Sequence, residues 1–192
     1  MAVVKLNPEP QHAIVFAGSS IFYFWTTLAE DMAPLPVINQ AFGGARMHSV
    51  LNAMDKLIVP YNPRIIVYYC GSNDINDGAD SQELVSGFEK FVSTVKDRLP
   101  ETLIYFVSIN KAPQKMDKWE VIDESNQKIK EWCEKTDSLC FIDINPSFLI
   151  NGQPLTELFL EDGLHFKPEA YLEFTKIIKP FIEKGWGQLN EH

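Results

Sequence analysis

Four short polar clusters in this 192-residue chain hold groups that could break an acyl bond. Gly18-Ser19-Ser20 offers a hydroxyl at the end of an apolar run. Asp162-Gly163-Leu164-His165 offers a carboxylate and an imidazole within one turn of chain. A serine alcohol is a weak nucleophile until a base takes its proton. His165 could take the Ser20 proton and return it to the leaving group, with Asp162 holding the ring in the tautomer this requires. The oxyanion that develops needs donors aimed at it. The backbone N–H groups of Ser20 and Gly44 and the side-chain amide of Asn73 could supply them, from the clusters Phe42-Gly43-Gly44 and Gly71-Ser72-Asn73-Asp74. Taken singly, each cluster reads as turn chemistry or backbone permissiveness. Taken together, in a workable chemical order, they read as a site for acyl transfer.

The elements between the clusters indicate how they meet. His12 to Ala17 is continuously apolar and stops at Gly18, which suits a central strand buried on both faces. Pro36–Asn39, Arg64–Cys70, Thr102–Ser108 and Leu139–Asp143 are the other strand candidates. Helical spacing runs through Met47, Val50, Leu51, Met54, Leu57 and Ile58, and again through Leu84, Phe88, Phe91, Val92, Val95 and Leu99. Asp80 with Glu83 opens the second of these as a capping box. Trp119 to Cys133 and Tyr171 to Phe181 give two more helices, and a first helix is expected from Ile21 to about Glu30. Pro168 falls near a first turn, whereas Pro180 should kink or end the last helix. Such alternation builds βαβ units, a parallel sheet and helices on both faces. Ligands bind at the carboxyl ends of strands in such sheets, where three of the clusters fall. The fourth closes Asn145 to Leu164, a stretch without periodicity whose length suggests a functional loop.

Composition narrows the class. Hydrophobic residues at 45% and charged residues at 22% exclude disorder, and the length fits one domain over residues 1–192. Seventeen Lys+Arg against 26 Asp+Glu leave a net charge of −9, which argues against nucleic-acid partners and against anionic membranes. No apolar run approaches the ~20 residues of a membrane span, and no secretory core opens the chain. Three cysteines make no disulfide framework, so Cys70, Cys133 and Cys140 read as small buried hydrophobes in a cytoplasmic protein.

The four clusters, with Asn39-Gln40-Ala41 leading into the second, resemble the sequence blocks of the SGNH hydrolases, the GDSL-type esterases/lipases. The blocks stand in the family's order from Gly18 to His165. Within the family the chain is most similar to the small branch that resembles the catalytic subunits of platelet-activating-factor acetylhydrolase. By motif position the resemblance assigns Ser20, Gly44, Asn73 and His165 to the family's named residues and Asp162 to its aspartate. It implies a three-layer α/β/α sandwich, flavodoxin-like, around a five-stranded parallel sheet. It also implies hydrolysis of a small-molecule carboxylic ester without metal or organic cofactor. The family's preceding aspartate is Ser19 here, and Ala45 stands where an aspartate often follows the second block.

A non-catalytic ligand-binding module on the same fold, with Ser20 idle, is the competing reading. His48 could approach the rim of the sheet, and Trp25, Phe42, Leu164 and Phe166 could line an acyl pocket or belong to the core. The segment Asn110 to Trp119 matches no family pattern and could shape substrate access. Nothing in the sequence fixes oligomeric state.

Overall fold

Five short apolar strands run side by side at the centre of the computed structural model, which describes residues 11–190. They are β1 (Ile14–Gly18), β2 (Val37–Asn39), β3 (Ile65–Tyr69), β4 (Leu103–Val107) and β5 (Leu139–Ile142). Their order is β2-β1-β3-β4-β5, every neighbouring pair is parallel, and β1 lies on β3 with Ile14 opposite Ile65. Alternate side chains enter opposite layers. Val15, Ala17, Ile66, Tyr68, Ile104 and Phe106 belong to one core, and Ile14, Phe16, Ile65, Val67, Tyr69 and Tyr105 to the other. Continuous apolar runs were needed because both faces are covered.

The first layer is made by α3 (Met47–Leu57), α5 (Ser81–Arg98) and α6 (Trp119–Cys133). The capping box of α5 forms as expected, with Glu83 N–H donating to Asp80 at 2.9 Å and Asp80 N–H to Glu83 at 3.0 Å. The second layer holds the last helix, Ala170–Asn190, together with the chain after β1. These layers and the sheet are the expected three-layer α/β/α fold.

Three local expectations need correction. Ile21 to Glu30 is not one helix but two single turns, α1 (Ser20–Tyr23) and α2 (Leu28–Asp31). Trp25 forces the break. Its ring is buried against Tyr171 at 5.4 Å, while its Nε1 donates to Asp31 at 2.6 Å. Pro180 does not end the last helix, because Phe174, Ile178 and Ile182 continue one buried stripe across it. Cys140 is only half-buried, whereas Cys70 and Cys133 are buried as expected. Burial pushes both of those thiols up to about 12, which keeps them protonated at neutral pH. The turn after β3 also winds into a short helix, α4 (Ser72–Asn76), which makes α7 the final helix (Ala170–Asn190).

The stretch Asn145 to Leu164 is ordered without periodicity. It contains a 3₁₀ turn (Asn145–Phe148), a hairpin of β6 (Leu149–Ile150) with β7 (Gln153–Pro154), and a second 3₁₀ turn (Thr156–Leu158). Phe148, Phe159 and Phe166 pin it to the core, with Phe166 at 4.7 Å from Phe148 and 4.5 Å from Phe159. Burying each such ring contributes roughly 1.5–3 kcal/mol.

One glycine controls the exit from β1. Gly18 has φ +132°, and a Cβ there would stand 1.9 Å from the Tyr69 carbonyl oxygen. Gly18→Ala should therefore lose at least about 3 kcal/mol in denaturant unfolding, or fail to fold. An alanine variant of unchanged stability would show that β1 and β3 are not so closely apposed at this edge.

Candidate active site

The sharp exit at Gly18 turns Ser19 inward and presents Ser20 at the start of α1. Ser19 is 1% exposed and its N–H donates to the Tyr69 carbonyl at 3.0 Å, whereas Ser20 is half-buried. Residue 165, far along the chain, arrives at the same point. His165 Nε2 lies 2.9 Å from Ser20 Oγ, and His165 Nδ1 lies 2.6 Å from Asp162 Oδ2. A neutral imidazole with its proton on Nδ1 donates to the carboxylate and accepts from the serine hydroxyl.

The Asp162 carboxylate is shared between two duties. Oδ1 accepts the backbone N–H groups of Leu164 at 2.9 Å and His165 at 3.0 Å, which folds the turn. Oδ2 remains for the ring. Partial burial alone would raise this carboxyl, but the hydrogen bonds from the His165 ring and from the two amides outweigh it and hold it below the ordinary range. The turn is fixed from outside as well. Gly163 N–H donates to Leu160 O at 2.9 Å, Leu160 N–H to His165 O at 2.8 Å, and Gln114 N–H to Gly163 O at 2.9 Å.

The remaining candidates gather nearby through α4. Asn73 Nδ2 donates to Ser19 Oγ at 2.8 Å and to the Ala45 carbonyl at 2.9 Å, so its amide spans the serine turn and the second loop. The backbone N–H groups of Ser20 and Gly44 meet no protein acceptor among the described residues. With alanine at position 45, the second loop is held by residues of α4 and its end. Asp74, whose carboxyl burial raises, accepts the Met47 N–H at 3.2 Å, and Arg46 pairs with Asp77.

Several expectations resolve differently. Trp25 and Phe166 are core residues, and Phe42 and Leu164 are half-buried against the core. His48 is exposed in a shallow groove of about 310 Å³ with Arg46, Asp74 and Asp77, a lining that includes neither Ser20 nor His165. Phe24 was not foreseen. Its ring stands edge-on to His165 at 5.0 Å and is 46% exposed, and the sequence pattern hid it because α1 ends before any helical period is established. Cavity size does not locate the site. A cavity of about 890 Å³ lies instead at the amino ends of the strands, beside His12, Arg64 and Trp186. Among the described residues, no cluster of three His, Cys, Asp or Glu side chains could hold a metal ion.

The profile of the GDSL-like Lipase/Acylhydrolase family matches residues 16–172. The chain belongs to that family. It is a carboxylic ester hydrolase, as its sequence blocks implied. No curated protein matches the sequence. Solved structures share the fold at low identity. One from Streptococcus pneumonia, provisionally described as a platelet activating factor, has a TM-score of 0.79 at 21% identity, covering 93% of this chain and 86% of its own. A GDSL-like lipase from Bacteroides thetaiotaomicron has a TM-score of 0.77 at 18% identity, covering 90% and 88%. A carbohydrate esterase family 3 protein from Talaromyces cellulolyticus has a TM-score of 0.70 at 14% identity, covering 90% and 97%. No described helix of this hydrolase is long and apolar enough to cross a membrane.

A carboxyl held low in the folded protein contributes stability above its unfolded value and loses it as pH falls through the folded value. The Asp162 carboxyl should thus titrate below the ordinary aspartate value of about 3.9 in a ¹³C NMR titration, and His165→Ala should move it upward. A midpoint at or above the ordinary value would show that the ring does not bond this oxygen.

Proposed function

We propose that this hydrolase cleaves small-molecule esters of short acyl groups through an acyl-Ser20 intermediate. The observation that carries the proposal is the unbroken run of hydrogen bonds from Asp162 through His165 to Ser20, at 2.6 and 2.9 Å. His165 Nε2 takes the Ser20 proton as Oγ bonds to the ester carbonyl carbon, and Asp162 stabilises the imidazolium that forms. The carbonyl π electrons move onto oxygen, where the N–H groups of Ser20 and Gly44 and the Asn73 amide meet the charge. Collapse breaks the bond to the alkoxide, which leaves with the proton from His165. Water then attacks the acyl-enzyme by the same steps, releasing the acid and restoring Ser20.

In the free protein the Asn73 amide is already held by Ser19 and Ala45. Its service to the oxyanion is to share or exchange the Ser19 contact as negative charge develops, because a charged acceptor attracts an N–H more strongly than a neutral hydroxyl. Preference for short acyl groups is supported by the packing of Trp25 and Phe166 into the core, which leaves neither ring to line a pocket for a long acyl chain. The exposed aromatic rings at the site are Phe24, edge-on to His165, and Tyr23, 5.3 Å from Phe24.

Hydrolysis of p-nitrophenyl esters tests the reading. Acetate should be turned over faster than octanoate, and Ser20→Ala and His165→Ala should each remove at least ~10³-fold of kcat with the fold intact. Asn73→Ala should lower kcat by ~10²–10³ and leave KM nearly unchanged, because its donor acts on the transition state. Retained turnover in Ser20→Ala would contradict the acyl-serine route, and faster turnover of octanoate would contradict the short-acyl preference.

A further inference from the structure

Lys115 is the only charged side chain among the described residues that is less than a tenth exposed; its exposure is 1%. Removing an ammonium from water is unfavourable unless acceptors replace the lost hydration. Here a single side-chain acceptor does so, as Nζ donates to Oδ1 of Asn76. A methionine would fill similar space without that penalty, so packing alone does not account for a lysine.

What Lys115 and its neighbours touch does account for it. Asn76 lies on α4, one turn beyond Asn73. The adjoining backbone reaches the other way, where Gln114 N–H donates to the Gly163 carbonyl at 2.9 Å, inside the Asp162–His165 turn. Gly163 has φ +63°, and a Cβ there would lie 3.4 Å from both Gln114 N and Pro113 Cβ, so the two segments are in direct contact. The segment Pro113–Lys115 thereby grips the histidine turn with its backbone and the Asn73 helix with its lysine. This is the segment for which the sequence offered no family pattern.

We propose that Lys115 is a positioning residue that fixes the Asn73 helix against the Asp162–His165 turn, so that oxyanion donor and base address the same acyl carbon. The inference rests on the acyl-serine reading. Burial, with Lys118 nearby, lowers the ammonium to about 8, so the charged form still predominates at neutral pH and the bond to Asn76 holds. A displacement of the donor relative to the base would slow the chemical step while leaving ground-state binding alone.

The test compares Lys115→Met, Asn76→Ala and their double variant with the wild type and Ser20→Ala, measuring kcat and KM for p-nitrophenyl acetate and the thermal midpoint of each. Lys115→Met should lower kcat roughly tenfold with KM within about twofold. Its thermal midpoint should stay level or rise, because an apolar side chain replaces a buried charge. A purely structural role would instead lower stability and activity together. Asn76→Ala, at an exposed residue, should give the same loss of kcat, and the double variant should be no slower than either single. Lys115→Met at full rate, a kcat loss that follows a falling midpoint, or losses that multiply in the double variant would each overturn the inference. If Ser20→Ala is inactive while Lys115→Met is unimpaired, the positioning role alone fails. If Ser20→Ala keeps wild-type turnover, the acyl-serine reading fails and takes this role with it.

Discussion

A 2.9 Å contact joins His165 to Ser20 across 145 positions of sequence, and the whole architecture serves to hold it. Closing so long a loop is entropically unfavourable unless the intervening chain is itself ordered. The parallel sheet provides that order. It brings the ends of β1 and β3 to one edge, with Ser20 and Asn73 following them, and α7 returns the chain so that the turn before it falls on the same rim. Aromatic packing secures the return. Phe148, Phe159 and Phe166 anchor the late loop, and Tyr171 donates from its hydroxyl to the Ile21 carbonyl at 2.8 Å, tying α7 directly to the turn that bears Ser20.

Polar contacts then refine what the sheet brings together. At the far side of the sheet, Asn145 donates to Ser108 Oγ and to the Ile109 carbonyl, both at 3.1 Å, and accepts the Lys111 N–H at 2.7 Å. Those bonds join the ends of β4 and β5 to the segment that touches Gly163. Buried polar groups satisfied in this way define one arrangement rather than several, since any slippage would leave donors unpaired. A neutral Ser19 hydroxyl, not a carboxylate, accepts the Asn73 amide, so no fixed negative charge stands at that contact.

The sequence made the strands and long amphipathic helices legible because burial on one or both faces imposes a period on residue type. The four polar clusters, three at strand ends and one before the last helix, were legible only together, because nucleophile, base and donors stand in a workable chemical order. Short elements left no such trace. The single turns α1 and α2 are held by Trp25 and its bond to Asp31, a tertiary arrangement that no local periodicity encodes. Pro180 was expected to kink or end the last helix because its local preference is clear, yet the helix runs on past it along the stripe from Phe174 to Ile182. Lys115 lies in a 3₁₀ segment, Pro113–Lys118, where a lysine would ordinarily be read as solvated, and its burial depends on α4 from elsewhere in the chain. Phe24 at the histidine was likewise invisible until residues 24 and 165 were brought together.

The relay from Asp162 to Ser20 is tested most directly by reaction with a fluorophosphonate, followed by intact-mass analysis and peptide mapping. The account predicts a single adduct on the oxygen of Ser20, none on its buried neighbour Ser19, and loss of labelling in His165→Ala. An unlabelled protein, or an adduct carried by Ser19, would contradict it.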